Sequence, residues 1–374
     1  MKRYIKIFLL ELVVVLIVLA LVFNYKKTKD SPATYVEELS INQIEENNPE
    51  VIGDKEENEN KDDLYIKLEN ALLSGDEDVN IDLSSLFVEA EKLFSILESI
   101  SYENPEIMYY KGAEYSFGKI KLIYSRPTGD IEKHQDEIRK VRSEFFRENI
   151  DKNMSDYEKV LSIHDYVVER GEYDTRLISE GQVPPESYST YGILGLGVGV
   201  CESYAKSMKY LFDKAGIESM IVIGKSRGEN HAWNLVNIEG DYYHVDATWD
   251  DPIIEDGSQV IRYNFLNLND EQMERTHSWK RENYPSAYGK EYNYYNYNNL
   301  IAEDSKQLID NLTRALLNRE DKYTVRVLKI DENLDLNNII ENIGYKNYEM
   351  IMLKGYSYYL DEEQNIFSFQ FFYH

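Results

Sequence analysis

Residues 192–216 read GILGLGVGVCESYAKSMKYLFDKAG, and the stretch holds the only cysteine of the 374-residue chain, Cys201. A glycine-rich approach ends at that cysteine and a helical pattern starts there. Tyr204, Ala205, Met208, Leu211, Phe212 and Ala215 recur at the spacing of one buried helix face, and Gly216 stops the run. Cys201 is therefore expected at the first helical turn. Backbone N–H groups without intrahelical partners point at it there, and the helix dipole favours negative charge, so the position favours the reactive thiolate. The alternative is a buried structural cysteine, the commoner fate of a free thiol.

The next two runs bear on that choice. Residues 231–238 (HAWNLVNI) and 242–248 (YYHVDAT) flank Glu239-Gly240-Asp241 and read as a β-hairpin. When the loop is even-numbered, directly paired residues have numbers that sum to an odd value. Those of His231 and Asp246 do so too, and the two side chains share a face. With Glu239-Gly240 as the loop they form a diagonal pair, with Cα atoms roughly 7–8 Å apart, a gap that an imidazole and a carboxylate can close. A bulge or an odd loop would separate them. A nucleophile, a base and a group that orients the base then follow in chain order.

Three blocks carry a family resemblance: Gly199-Val200-Cys201-Glu202-Ser203-Tyr204-Ala205, then Asn230-His231-Ala232-Trp233-Asn234, then the run from His244 through Asp246, Thr248 and Trp249 to Asp250-Asp251-Pro252. Over about residues 155–290 the chain resembles the transglutaminase-like superfamily, and within it the bacterial protease-like branch. The resemblance implies an α+β fold with a papain-like core, and Cys201, His231 and Asp246 as catalytic triad. It implies thioester-mediated acyl transfer on peptide or protein amides. Glu202 stands where transglutaminases typically carry Trp, which favours a protease or amidase over a cross-linking enzyme.

Other residues near these blocks are weighed the same way. The backbone N–H of Cys201 is the natural oxyanion donor. Tyr191 is a candidate for a second donor through its hydroxyl, or for packing; Trp233 is a candidate pocket wall, or core like Trp249. His244 has the parity of Asp246 and reads as a satisfied structural histidine, and His164 as a helix-packing one. Asp250 and Asp251 precede a proline and read as turn residues, with Asp250 an outside alternative to Asp246. No metal site is expected, since the six histidines are scattered with no HExxH or paired-cysteine pattern. No cofactor is expected either, because the alternating glycines show neither dinucleotide nor P-loop spacing.

Lys2, Arg3 and Lys6 precede an apolar run, residues 7–23, broken only by Glu11. It is just long enough to span a bilayer, and no small-residue cleavage site follows. Residues 1–6 are expected as a cytoplasmic basic tail, 7–23 as an uncleaved single-pass anchor, and the remainder as extracytoplasmic, although Lys26, Lys27 and Lys29 oppose the charge rule. Residues 24–62, rich in Glu, Asn, Lys and Asp, read as an acidic disordered tether. The net charge of −27 argues against nucleic acid and against lying flat on anionic lipid. One cysteine excludes intrachain disulfides.

Residues 63–150 are expected as an N-terminal α/β region, with helices near 64–73 and 86–100, strands at 106–111 and 119–125, and a charged helix over 131–147. Residues 151–299 form the expected catalytic domain, entered by a helix capped by Ser155 and Glu158. Its tyrosine-rich end reads as packing. Residues 300–374 read as a small α/β module of helix 302–317, strand 323–330, helix 336–343, strand 348–353 and a final hairpin. Two function classes follow: an anchored cysteine enzyme acting on a peptide or protein substrate of the cell envelope, or a non-catalytic binding or scaffold protein on the same core.

Overall fold

Among the described residues three sheets, each packed on apolar side chains, organise the fold. In the computed structural model the described residues are 35–38, 59–81, 90–116, 118–253, 260–331 and 333–374. The first sheet has the order β1-β3-β4-β2, from β1 (Tyr35–Glu38), β2 (Asp78–Asn80), β3 (Tyr110–Ser116) and β4 (Lys119–Tyr124). Helices α1 (Glu59–Ser74) and α2 (Ala90–Glu103) bury Leu68, Leu72, Leu93 and Leu97 with Ile120 and Leu122 of β4. The i, i+4 leucine pairs meet the alternate residues of the strand, as helix and strand periods require.

Two details depart from expectation. β3 starts at Tyr110 rather than Glu106, because Pro105 and the Ile107 N–H to Asn104 carbonyl bond keep the segment after α2 in a turn. Within the expected tether, Tyr35–Glu38 pair antiparallel with β3, and α1 already begins at Glu59. The free edge of β3 supplies hydrogen bonds that composition does not reveal. The rest of the tether up to residue 58, the basic tail and the expected anchor lie outside the described residues. Among the described residues no helix is long and apolar enough to cross a membrane.

The central unit packs α3 (Thr128–Asn149), α4 (Asp156–Arg170) and α5 (Cys201–Ala215) against an antiparallel sheet of order β8-β7-β6-β5-β9. Its strands are β5 (Ser219–Ser226), β6 (Glu229–Ile238), β7 (Asp241–Val245), β8 (Leu266–Leu268) and β9 (His277–Trp279). Ser155 and Glu158 close the capping box that starts α4. α3, which sequence grouped with the N-terminal region, buries Ile131, Ile138 and Phe145 in this core instead. The tyrosine-rich segment packs as expected, with Tyr297 stacked on Tyr157 and Tyr294 on Tyr263.

The C-terminal module is a sheet of order β10-β11-β13-β12 carrying helices α6 (Ser305–Leu317) and α7 (Leu336–Lys346). Its strands are β10 (Ile301–Ala302), β11 (Lys322–Val327), β12 (Leu353–Asp361) and β13 (Ile366–Tyr373). Residues 348–351 form a helical turn rather than the expected strand, closed by the Met352 N–H to Tyr348 carbonyl bond. The module reaches the central unit through Arg227 on Glu363 and Asn264 on Asp361.

Candidate active site

The site begins with how α5 is seated. The glycine-rich approach forms one π-helical turn, Gly192–Leu196, before the chain enters the helix. A Cβ on Gly192 or Gly199 would lie 2.6 Å from the Ser203 hydroxyl oxygen. Only glycine permits that approach, and Ser203 uses it to donate to the Ser189 carbonyl and accept from the Ile193 N–H. The first turn of α5 is thereby fixed from below. Cys201 is its first residue, after the extended Val200, and its N–H lies among the donors a helix start leaves without intrahelical acceptors. Gly216 closes the far end in the left-handed conformation.

The hairpin forms in the anticipated register. Ile238 pairs with Asp241 across the two-residue loop Glu239-Gly240, whose residues both have positive φ. His231 is buried near the start of β6, and Asp246 just beyond β7 caps the short helix Ala247–Asp250. His231 Nε2 lies 2.7 Å from Asp246 Oδ2. With Nε2 so engaged, Nδ1 is the ring nitrogen left to face the cleft that His231 shares with Cys201. Burial opposes charge on His231, but Asp246 and Cys201 outweigh it and hold the imidazole well above its ordinary range, as an imidazolium. Burial likewise opposes ionisation of Asp246, and His231 and then His277 overcome it, so its carboxyl lies well below the usual range.

His277 was not singled out from sequence. It sits on β9, an edge strand far along the chain, and its Nε2 lies 3.0 Å from Asp246 Oδ2. Its only advance sign was being a histidine beside strand-forming residues. Asp246 Oδ1 meanwhile accepts the backbone N–H groups of Thr248 and Trp249.

The remaining candidates separate cleanly. Tyr191 supplies no oxyanion donor: its hydroxyl donates to Glu137 and its ring stacks on His134 of α3, away from the cleft. Trp233 backs His231 from the buried side rather than walling the cleft, and its indole N–H donates to His244 Nδ1. His244 in turn meets Asp270, so it is the satisfied structural histidine expected. Asp250 is no turn residue and no substitute for Asp246. It is buried, pairs with His164 Nε2 at 3.1 Å and accepts the Phe265 N–H. Asp251 accepts the Tyr204 hydroxyl. Glu202 is paired with Lys206 one turn on.

Cys201 and His231 open onto a cleft of about 1440 Å³ whose walls include Tyr102, Tyr173, Tyr188, Trp249, Arg227 and Arg262. Trp249 donates to Ser226 Oγ and lies under the Arg227 guanidinium at 3.6 Å. Burial first, then neighbouring acidic groups, pushes the Tyr173 hydroxyl up to about 12 and that of Tyr102 well above its ordinary value. Both phenols stay protonated in the cleft wall. His231, Asp246 and His277 are the one group of possible metal ligands among the described residues, with ligand atoms within 4.8 Å of one another. Their convergence is already accounted for by hydrogen bonds, since Asp246 Oδ2 takes both imidazoles.

Cys201, His231 and Asp246 fall within a span that matches the sequence model of the transglutaminase-like superfamily, residues 144–247. The chain carries a transglutaminase-like domain. Kyphoscoliosis peptidase of Mus musculus is 27% identical over 124 residues, which cover 30% of this chain and 18% of that protein. Its Homo sapiens counterpart is 27% identical over 113 residues, covering 27% and 17%. The chain therefore spans less than a fifth of the length of these curated relatives. Among solved structures, the crystal structure of a TGase aligns at 14% identity and a TM-score of 0.29 over 40% of this chain and 45% of that one. The transglutaminase-like core and the mixed α+β fold agree with the resemblance drawn from sequence.

Proposed function

We propose that the protein is a cysteine acyl-transfer enzyme acting on peptide or protein amides. The observation that carries this reading is the buried His231–Asp246 pair at 2.7 Å on the same cleft as Cys201 at the start of α5. The thiolate attacks the amide carbonyl carbon, and the resulting oxyanion takes the Cys201 N–H. His231 Nδ1–H protonates the departing amine as the C–N bond breaks, leaving a Cys201 thioester. Asp246 keeps the ring oriented and its charge balanced without itself taking the proton. His231, now neutral, draws a proton from water, which attacks the thioester and releases the acid and the thiol.

Water is the proposed acceptor, with Glu202 in place of the transglutaminase Trp supporting hydrolysis over cross-linking. The open cleft is roomy enough for an extended peptide. The domain is further proposed to stand outside a membrane, anchored by residues 7–23; the apolar run and the Lys2, Arg3 and Lys6 flank support this. Incubating the full chain with a peptide library, with and without a primary amine, tests the chemistry by product mass. Cleaved acids that vanish in Cys201→Ala support it. Intact peptides throughout oppose it, and amine adducts that outweigh acids would make the enzyme a transamidase.

A further inference from the structure

Asp246 has four acceptor positions, and all four are filled. Oδ1 takes the N–H groups of Thr248 and Trp249, and Oδ2 takes His231 and His277. The two backbone bonds belong to the helix cap. The His277 bond is different, because a side chain from another strand is brought to Asp246 by sheet register: Ser226 of β5 pairs with His277 of β9, and the Arg227 N–H extends the ladder to the Thr276 carbonyl.

The proton positions around His277 follow from its partners. An ionised carboxylate only accepts, so Nε2 carries a proton and donates to Asp246. Burial keeps the ring neutral, with His231 and His244 adding to that effect and Asp246 opposing it. Nδ1 is then bare and accepts from the Thr276 hydroxyl at 2.7 Å. The accept-only carboxylate thus selects the tautomer, and Thr276 satisfies Nδ1 and holds the ring. A neutral donor fixes the direction of the carboxylate while leaving its negative charge to the His231 imidazolium.

We infer that His277, with its ring held by Thr276, is a positioning residue that holds Asp246 Oδ2 aimed at His231. The inference rests on reading Cys201, His231 and Asp246 as the reacting set. Without the His277 bond the carboxylate keeps its cap bonds through Oδ1, but Oδ2 loses one of the two contacts that set its direction. The His231 ring then loses its fixed orientation toward the sulfur.

The test is the rate at which iodoacetamide alkylates Cys201 in the full chain at pH 6, where a thiol without an imidazolium partner reacts slowly, read together with thermal unfolding. His277→Phe is expected to slow alkylation about tenfold, the lower end of the loss when a group orienting a metal-binding histidine or carboxylate is removed. His277→Gln, which keeps an N–H donor, is expected to recover most of the rate. If both variants slow equally, or neither does while His231→Ala does, the positioning role is overturned and the triad stands. If His231→Ala leaves the rate unchanged, the triad reading itself fails. Should His277→Phe not fold, Thr276→Val decides: slower alkylation at an unchanged melting temperature supports the inference, and the wild-type rate overturns it.

Discussion

Replacing Trp233 by phenylalanine isolates one bond in the wall behind the site. The indole is buried, and its N–H is the donor to His244 Nδ1 at 3.0 Å. His244 Nε2 is committed to Asp270 Oδ1 at 2.9 Å, and burial lowers the ring below its ordinary range despite that carboxylate, so His244 is neutral with a bare Nδ1. Phenylalanine leaves this acceptor buried and unpaired. An orphaned buried acceptor costs about 1–3 kcal/mol. The lost ring atoms add on the order of 1 kcal/mol, a fraction of a full truncation. Trp233→Phe is thus expected to lose about 2–4 kcal/mol in urea unfolding. In a double-mutant cycle with His244→Leu, which removes the orphan, about 1 kcal/mol should return as coupling. A loss under about 0.5 kcal/mol, or effects that add within that margin, would refute the bond's role.

Gly224 pairs with both His231 and Trp279, and a Cβ there would lie 2.3 Å from the Ser278 carbonyl oxygen. Gly224→Ala should force β9 away from β5, costing about 1–3 kcal/mol and slowing Cys201 alkylation; an unchanged melting temperature would count against it. His164 is raised to about 9, because Asp165 and Asp250 outweigh its burial. A raised histidine contributes stability in full below its unfolded value near 6.5 and loses it as pH rises through the folded value. Wild type should therefore lose more urea stability between pH 7 and 10 than His164→Gln, by an amount on the order of 1–3 kcal/mol; parallel losses would refute the pairing. For the proposed topology, protease added to intact cells should remove the folded domain, and full protection would reverse the orientation.

The sequence made the site legible where geometry is local. The helix start at Cys201 follows from apolar spacing and a stop glycine, and the meeting of His231 with Asp246 follows from a two-residue loop. Contacts made by distant strands were not legible. His277 reaches Asp246 only because β9 adds to the outer edge of β5, and nothing near residue 277 announces that pairing. Asp250 was misread for the same reason, since its partner His164 lies 86 positions earlier, on α4. Tyr191 was drawn toward the site by its place before the glycines, yet the π-helical turn that follows leaves its ring against His134 of α3.

In the proposed mechanism His231 makes Cys201 a nucleophile. The direct measurement is the rate of Cys201 alkylation by iodoacetamide at pH 6 in wild type and in His231→Ala, both shown folded by circular dichroism. Fast labelling is expected in wild type and at least tenfold slower labelling in the variant. Equal rates would contradict the mechanism, leaving Cys201 an ordinary buried thiol on a transglutaminase-like core.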